Sequence, residues 1–331
     1  MKTKNQFDKE RLNATDEIIV SDGIKRKKQK ERIFLEGKIK KKISKDVIIA
    51  WSILTPMLIW WLVVSGFPML VGFVLGFFEW RNVNAVPKFV GIDNFIAFFK
   101  DETYLGDLGR TIVFGFGITL VTMLTSFACA FLLNRNIKLK GFLRSVWYIP
   151  AVTSPVAISH VMSLLFDPFK GVINRLLEGA GQEPIILATN IGWSIALIFI
   201  YSIWKGCGSG ALIWLAGLQS IDPDLYEAAE IDGANKFHRF WSITLPGLKP
   251  ISLYVFITGI ISAFQIYEPI AFITNGGPYG ATNVLALRII QDGYQNFNFG
   301  MAGASGLLLA VLIMACSAFT YKAMTKDRGS L

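Results

Sequence analysis

Six apolar runs, each long enough to cross a lipid bilayer, constrain this chain more than any other feature. A helix rising 1.5 Å per residue needs about 20 residues to cross a hydrocarbon core of about 30 Å. Runs of that order stand at 47–78, 111–133, 146–166, 191–217, 251–274 and 299–321. The residue balance agrees, with 53% hydrophobic and 17% charged residues against about 25% charged in soluble domains. The expected fold class is an all-α integral membrane protein with six transmembrane helices.

Basic residues resist translocation and collect on the cytoplasmic side. The segments before the first run, between runs two and three, between four and five, and after six hold 15, 4, 3 and 3 Lys and Arg; the three alternate segments hold 4, 2 and 1. Both termini are therefore expected in the cytoplasm, together with the polar segment between runs four and five. This divides the chain into a basic tail at 1–46, a membrane domain at 47–321 carrying a cytoplasmic loop at 218–249, and a short tail at 322–331. The first tail has 15 basic and 8 acidic residues and too little apolar periodicity to fold alone. Its KRKKQKER cluster at Lys25 to Arg32 reads as a solvated positive-inside flank or as a contact for anionic membrane lipid, not as a nucleic acid site. The first apolar run starts too far from Met1 and is too long for the core of a cleaved signal peptide.

Catalytic chemistry is hard to find. No GxxxxGK[ST] loop is present to cradle nucleotide phosphates, so ATP hydrolysis by this chain is not expected. Cys129, Cys207 and Cys316 lie in separate apolar runs, without metal or redox spacing, and read as small hydrophobes. His160 and His238 are too far apart in the pattern for a shared metal or acid–base site, and His160 reads as a hydrogen-bonded residue within the bundle. No catalytic residue, metal ligand or cofactor site is assigned.

The loop is different in kind. Asp222, Pro223 and Asp224 supply an N-cap, a proline at the first helical position and a negative charge near the helix N-terminus. Ala228 and Ala229 give that helix a small-residue face, and Gly233 suits a turn that a β-carbon resists. Phe237, Phe240 and Trp241 then recur at helical spacing, so a second short helix can anchor its apolar side at the membrane interface. Pro246 and Pro250 mark the entry to run five.

The pattern Glu227, Ala228, Ala229, Gly233, Ile243, Leu245, Pro246 resembles the EAA loop in permease subunits of type I ATP-binding-cassette importers. Tyr226, Asp232 and Ala234 belong to the same segment. FVGIDNF at Phe89 to Phe95, the Gly171, Asn174, Leu177 pattern and NGGP at Asn275 to Pro278 extend the resemblance to carbohydrate-uptake permeases. Among these the chain resembles the larger maltose-permease type of subunit more than its companion, departing from it by its long basic tail and its lack of extra helices and a large outer domain.

The resemblance implies a multi-pass plasma-membrane protein of a bacterium or archaeon that imports a di- or oligosaccharide. It also implies partners: a second permease subunit, a cytoplasmic ATPase dimer that binds ATP and Mg and receives the loop as a coupling element, and an extracytoplasmic solute-binding protein. The alternatives are another solute on the same type of importer, such as glycerol phosphate, or an ion-coupled carrier.

Polar residues inside apolar runs are costly and nominate a substrate pathway. Run four offers Tyr201, Trp204, Lys205 and Gly206, in a glycine-rich stretch that either exposes backbone to a cavity or allows close helix packing. Run five offers Ser262, Gln265, Tyr267 and Glu268. Aromatic faces and amide or carboxylate acceptors among these suit a sugar. If both runs are straight helices, Lys205 lies about 21 Å and Glu268 about 9 Å below the outer surface. Such a gap excludes an ion pair unless the glycine stretch breaks its helix. Pro150, Thr153, Ser154 and Pro155 mark a kink or hinge in run three, and Gly300, Gly303 and Gly306 read as close packing in run six.

Overall fold

The computed structural model describes residues 45–135 and 138–325. The basic segment up to residue 44 and the end beyond Thr325 lie outside the described residues, so the expected tails are not addressed by the architecture. The chain divides into two units, Met1–Leu70 and Val71–Leu331. Most of helix α1, Lys45–Leu75, belongs to the first. Its described part passes through a π-helical turn at Leu62–Gly66 and carries Trp51, Trp60 and Trp61 exposed, an apolar surface suited to lipid rather than water.

The second unit is nearly all helix. A two-stranded antiparallel ladder pairs Phe78–Glu79 with Lys88–Phe89. There follow α2 at Asp93–Lys100, α3 at Glu102–Leu133, α4 at Lys140–Val152, α5 at Pro155–Leu165, α6 at Val172–Gly179 and α7 at Ile191–Gln219. Next come α8 at Pro223–Ile231, α9 at Lys236–Gly247, α10 at Lys249–Phe264, α11 at Leu285–Ile290 and α12 at Phe299–Thr325. Four helices, α1, α3, α7 and α12, are long and apolar enough to cross a membrane. The pairs α4–α5 and α9–α10 add up to two more if each bent pair is one span.

Two expected spans are broken. Run three folds as α4 and α5 meeting at 92°, because Pro155 cannot donate a backbone bond and forces Ser154 out of the helical region, to ψ 126°. Run five does not continue to Thr274 as one helix. α10 ends at Phe264, Gln265 to Tyr267 lie outside it, and the chain resumes at Glu268 into a π-helical turn, Ile270–Thr274. Pro269 withholds the amide that would have bonded the Gln265 carbonyl.

α3 is the central post, packed most extensively against α7 and next against α10. One end of this core holds Phe114, Ile118, Ile198 and Val284, and the other Ala130, Trp214, Leu215 and Leu248. The glycines of α7 set its distances. A β-carbon at Gly208 would stand 2.0 Å from the Trp147 carbonyl oxygen, and one at Gly206 or Gly210 would stand 2.8 Å from Thr122 or Ser126. α7 runs unbroken through this stretch, so the glycines admit α3 and α4 without opening the helix.

The sequence motifs outside the loop have structural work. Asn94 of FVGIDNF donates to the carbonyls of Gly76 and Phe78, 2.9 Å each. Asn174, buried, donates to the carbonyls of Phe166, Asp167 and Ile185 and accepts from the Ile185 amide. NGGP is a turn with Asn275 and Gly276 at φ 48° and 79°. At the N-terminal end of α3, fully buried Asp107 accepts from Arg288 Nε at 2.6 Å, Arg110 Nη2 at 2.5 Å and Asn283 Nδ2 at 3.1 Å. That cluster ties α3 to α11, and it was not legible beforehand because Asn283 and Arg288 lie 176 and 181 positions from Asp107.

Candidate functional site

The loop forms the expected helix–turn–helix. The Asp222 side chain accepts from the Asp224 amide and caps α8, with Pro223 in its first turn. Gly233 takes φ +79° with no atom within 4 Å of its would-be β-carbon, so its turn depends on backbone freedom, not on a tight neighbour. Asp232 is the exposed C-cap, and the Ala234 amide donates to the Ala229 carbonyl at 2.8 Å. Two side-chain links close the hairpin: Tyr226 Oη with Thr244 Oγ1 at 2.9 Å, and Arg239 Nη1 to Glu230 Oε2 at 2.7 Å.

This presents an exposed outer face. Glu227, Ala228, Leu245 and Pro246 are exposed, while Ala229 and Ile243 are half-buried. Phe240 packs toward Phe127 and Phe131 of α3, which seats the hairpin on the bundle itself. Phe237 and Ile231 remain 72% and 87% exposed, far more apolar surface than a finished interior leaves.

A cavity of about 650 Å³ opens among α3, α4, α7, α10 and the broken segment after it. Six of the eight residues nominated for a substrate pathway line it: Tyr201, Lys205, Gly206, Ser262, Gln265 and Glu268. Trp204 and Tyr267 do not. Trp204 is 43% exposed on another face of α7, and Tyr267 packs against the core around Phe114 and Ile198. The aromatic residues of the cavity are instead Tyr148, Tyr201 and Tyr254. The sequence reading also missed Thr119, Thr122 and Ser126, contributed by α3. Their spacing of three and four puts them on one helical face, a polar stripe that was available as a signal.

The depths that separated Lys205 from Glu268 assumed two straight helices, and run five is not straight. Both residues line the same cavity. The break lies at Gln265 to Tyr267, not in the glycine stretch of α7. They are nonetheless not an ion pair among the described residues. Lys205 Nζ donates to the carbonyls of Thr153 at 2.8 Å and Pro150 at 3.3 Å, at the bend between α4 and α5.

The remaining nominated groups are placed more simply. Cys129 and Cys207, far apart in sequence, touch across α3 and α7 with their sulfurs 3.4 Å apart. His160 is exposed and lies beside the Phe272 ring, centroids 5.0 Å apart, in place of the expected hydrogen bond. His238 Nε2 is 3.4 Å from Ser242 Oγ. Among the described residues no group of three or more His, Cys, Asp or Glu stands ready for a metal ion.

Residues 122–326 match the family model described as binding-protein-dependent transport system inner membrane component. The chain is 31% identical over 242 residues, 72% of its length and 82% of the relative's, to the sn-glycerol-3-phosphate transport system permease protein UgpA of Agrobacterium fabrum. It is also 31% identical over 276 residues, 83% and 95% of the two chains, to the multiple sugar-binding transport system permease protein MsmF of Streptococcus mutans. A chain of a bacterial ABC transporter involved in the import of the acidic polysaccharide alginate shares the fold, with TM-score 0.74 and 23% identity over 87% of this chain and 99% of that one.

Proposed function

This chain belongs to the family of binding-protein-dependent transport system inner membrane components, and from that footing we propose that it forms half of the translocation pathway of an ATP-driven sugar importer. The observation that carries the reading is the hairpin of α8 and α9. Its exposed Glu227–Ala228 face, held by the Tyr226–Thr244 and Glu230–Arg239 links, suits a cleft on a soluble partner. That partner is an ATPase dimer, which supplies the ATP and Mg site that this sequence lacks. Closure of the dimer moves the hairpin, and with it α10 and α3, so that the cavity opens alternately to the two sides.

The remaining features follow from the same reading. Each bent pair is one span, giving six, and both termini share the cytoplasm with the hairpin, as the positive-inside count requires. A second permease completes the pathway, and an extracytoplasmic binding protein delivers the substrate, a di- or oligosaccharide. The hydroxyl-lined cavity, with Gln265 and Glu268 as acceptors, supports a sugar; Lys205 in its wall and the resemblance to UgpA favour glycerol phosphate as the second reading.

Gly233 provides the test. Gly233→Asn keeps a residue that tolerates positive φ and should retain uptake within about threefold, whereas Gly233→Trp, whose side chain projects into the space a partner occupies, should insert normally and abolish ATP-driven uptake. Normal uptake by the tryptophan variant would reject the hairpin as the coupling element.

A further inference from the structure

The cavity holds one acidic and one basic side chain, and the two are not equivalent. Lys205 is already engaged. Its ammonium sits at the C-terminal end of α4, where a helix presents unpaired carbonyls and the negative end of its dipole, and two of those carbonyls, from Pro150 and Thr153, accept its protons. Glu268, also in the cavity wall, makes no hydrogen bond and no salt bridge among the described residues, although its charge acts on the Lys205 ammonium across the cavity. It reaches the cavity because the chain leaves its helix at Gln265 and is turned again by Pro269.

The hydroxyls around it divide in the same way. Those of Thr119, Ser202 and Thr258 donate to carbonyls of their own helices, so they offer a ligand only lone pairs. A free carboxylate also offers only acceptors, but its hydrogen bonds are roughly twice as strong as neutral ones. The Gln265 amide and the hydroxyls of Ser262, Tyr148 and Tyr254 can serve either way, while the carbonyl-bound hydroxyls and the carboxylate call for donors. An uncharged, hydroxyl-rich molecule brings many; a phosphate or carboxylate brings like charge against an unpaired carboxylate in a partly desolvated space.

We infer that Glu268 sets the charge selectivity of this cavity, admitting uncharged polyhydroxylated ligands and excluding anionic ones, while Lys205 is a positioning residue that pins the α4–α5 bend. The inference rests on the reading of the cavity as the substrate pathway.

A thiol placed in the cavity tests it without knowledge of the natural substrate. Ser262→Cys, or Thr258→Cys if that chain inserts poorly, is made in the full chain in its host's membrane. It is labelled with methanethiosulfonates of similar size bearing either a trimethylammonium or a sulfonate group. Rates are taken over those of the parent chain and normalised to a free thiol in solution.

With Glu268 present, the cationic reagent should react about tenfold faster than the anionic one; added Glu268→Gln should reduce that preference to within about threefold of unity, and added Lys205→Gln should change it less than Glu268→Gln does. Millimolar glycerol 3-phosphate should not slow labelling of the chain that retains Glu268. Equal or anion-favoured rates, a preference unmoved by Glu268→Gln, an equal response to Lys205→Gln, or protection by glycerol 3-phosphate would each overturn the assignment. If neither reagent labels either cysteine, the cavity is closed to water, and it is the pathway reading that falls.

Discussion

Gly208 illustrates what a single missing atom decides. With a β-carbon 2.0 Å from the Trp147 carbonyl oxygen, alanine at this position must push backbone away, since no flexible side chain is there to yield. Gly208→Ala should therefore cost about 1–3 kcal/mol, read as a lower thermal unfolding midpoint in detergent. Gly141→Ala, with open space around the added carbon, should leave the midpoint unchanged or raise it slightly.

Asp292, between runs five and six, offers a titration at the same scale. Burial raises its pKa above the ordinary 3.8, opposed by hydrogen bonds from Tyr104 and Asn296. The native state then binds this proton more tightly than the unfolded chain, so stability is lost as pH rises from the ordinary value through the raised one. Asp292→Asn should remove that loss. Its unfolding midpoint relative to the wild type should climb as pH rises above the ordinary carboxylate value of 3.8, and a difference independent of pH would contradict the assignment.

At the scale of elements, the broken helices matter most. The prolines of run three were legible as a hinge, and Pro155 with Ser154 produces the 92° bend between α4 and α5. What holds the bend was not legible, because Lys205 lies more than fifty positions from the carbonyls it binds. Lys205→Met keeps the length of the side chain and removes its donors. With the Pro150 and Thr153 carbonyls left unpaired, it should destabilise the protein by about 1–3 kcal/mol, measured by thermal unfolding. An unchanged midpoint would mean that water replaces the ammonium without loss.

The loop was read more fully than any other element. Its N-cap, proline, glycine turn and second helix all follow from local backbone chemistry, and the turn at Gly233 is where the sequence put it. Run five was read least well. A hydropathy pattern reports that a segment is apolar, not whether its backbone bonds are continuous, so Pro269 was passed over and run five was taken as one straight helix.

For the whole molecule, the family reading makes this chain one part of a machine whose chemical energy enters elsewhere. The purified chain should hydrolyse no ATP, and its phosphate release should stay at background in the presence of Mg. Turnover free of any copurifying ATPase would contradict the proposal. The exposed apolar surfaces of α1, α8 and α9 fit the same view, since each is more than an isolated chain in water would leave uncovered.

The sequence by itself determined that this protein is helical and membrane-embedded, and which family it joins. Those properties follow from run length, charge asymmetry and a motif whose residues are local to one another. Only the tertiary structure decided which polar residues share a cavity. It brought α3 hydroxyls to face α7 and α10, turned Trp204 and Tyr267 away, and left Glu268 without a hydrogen bond while Lys205 was bound to two carbonyls. The physical reason is that a helical period fixes which residues of one segment share a face, whereas the meeting of faces depends on close packing at glycines and on two breaks at prolines. These combine contacts across more than fifty positions of chain.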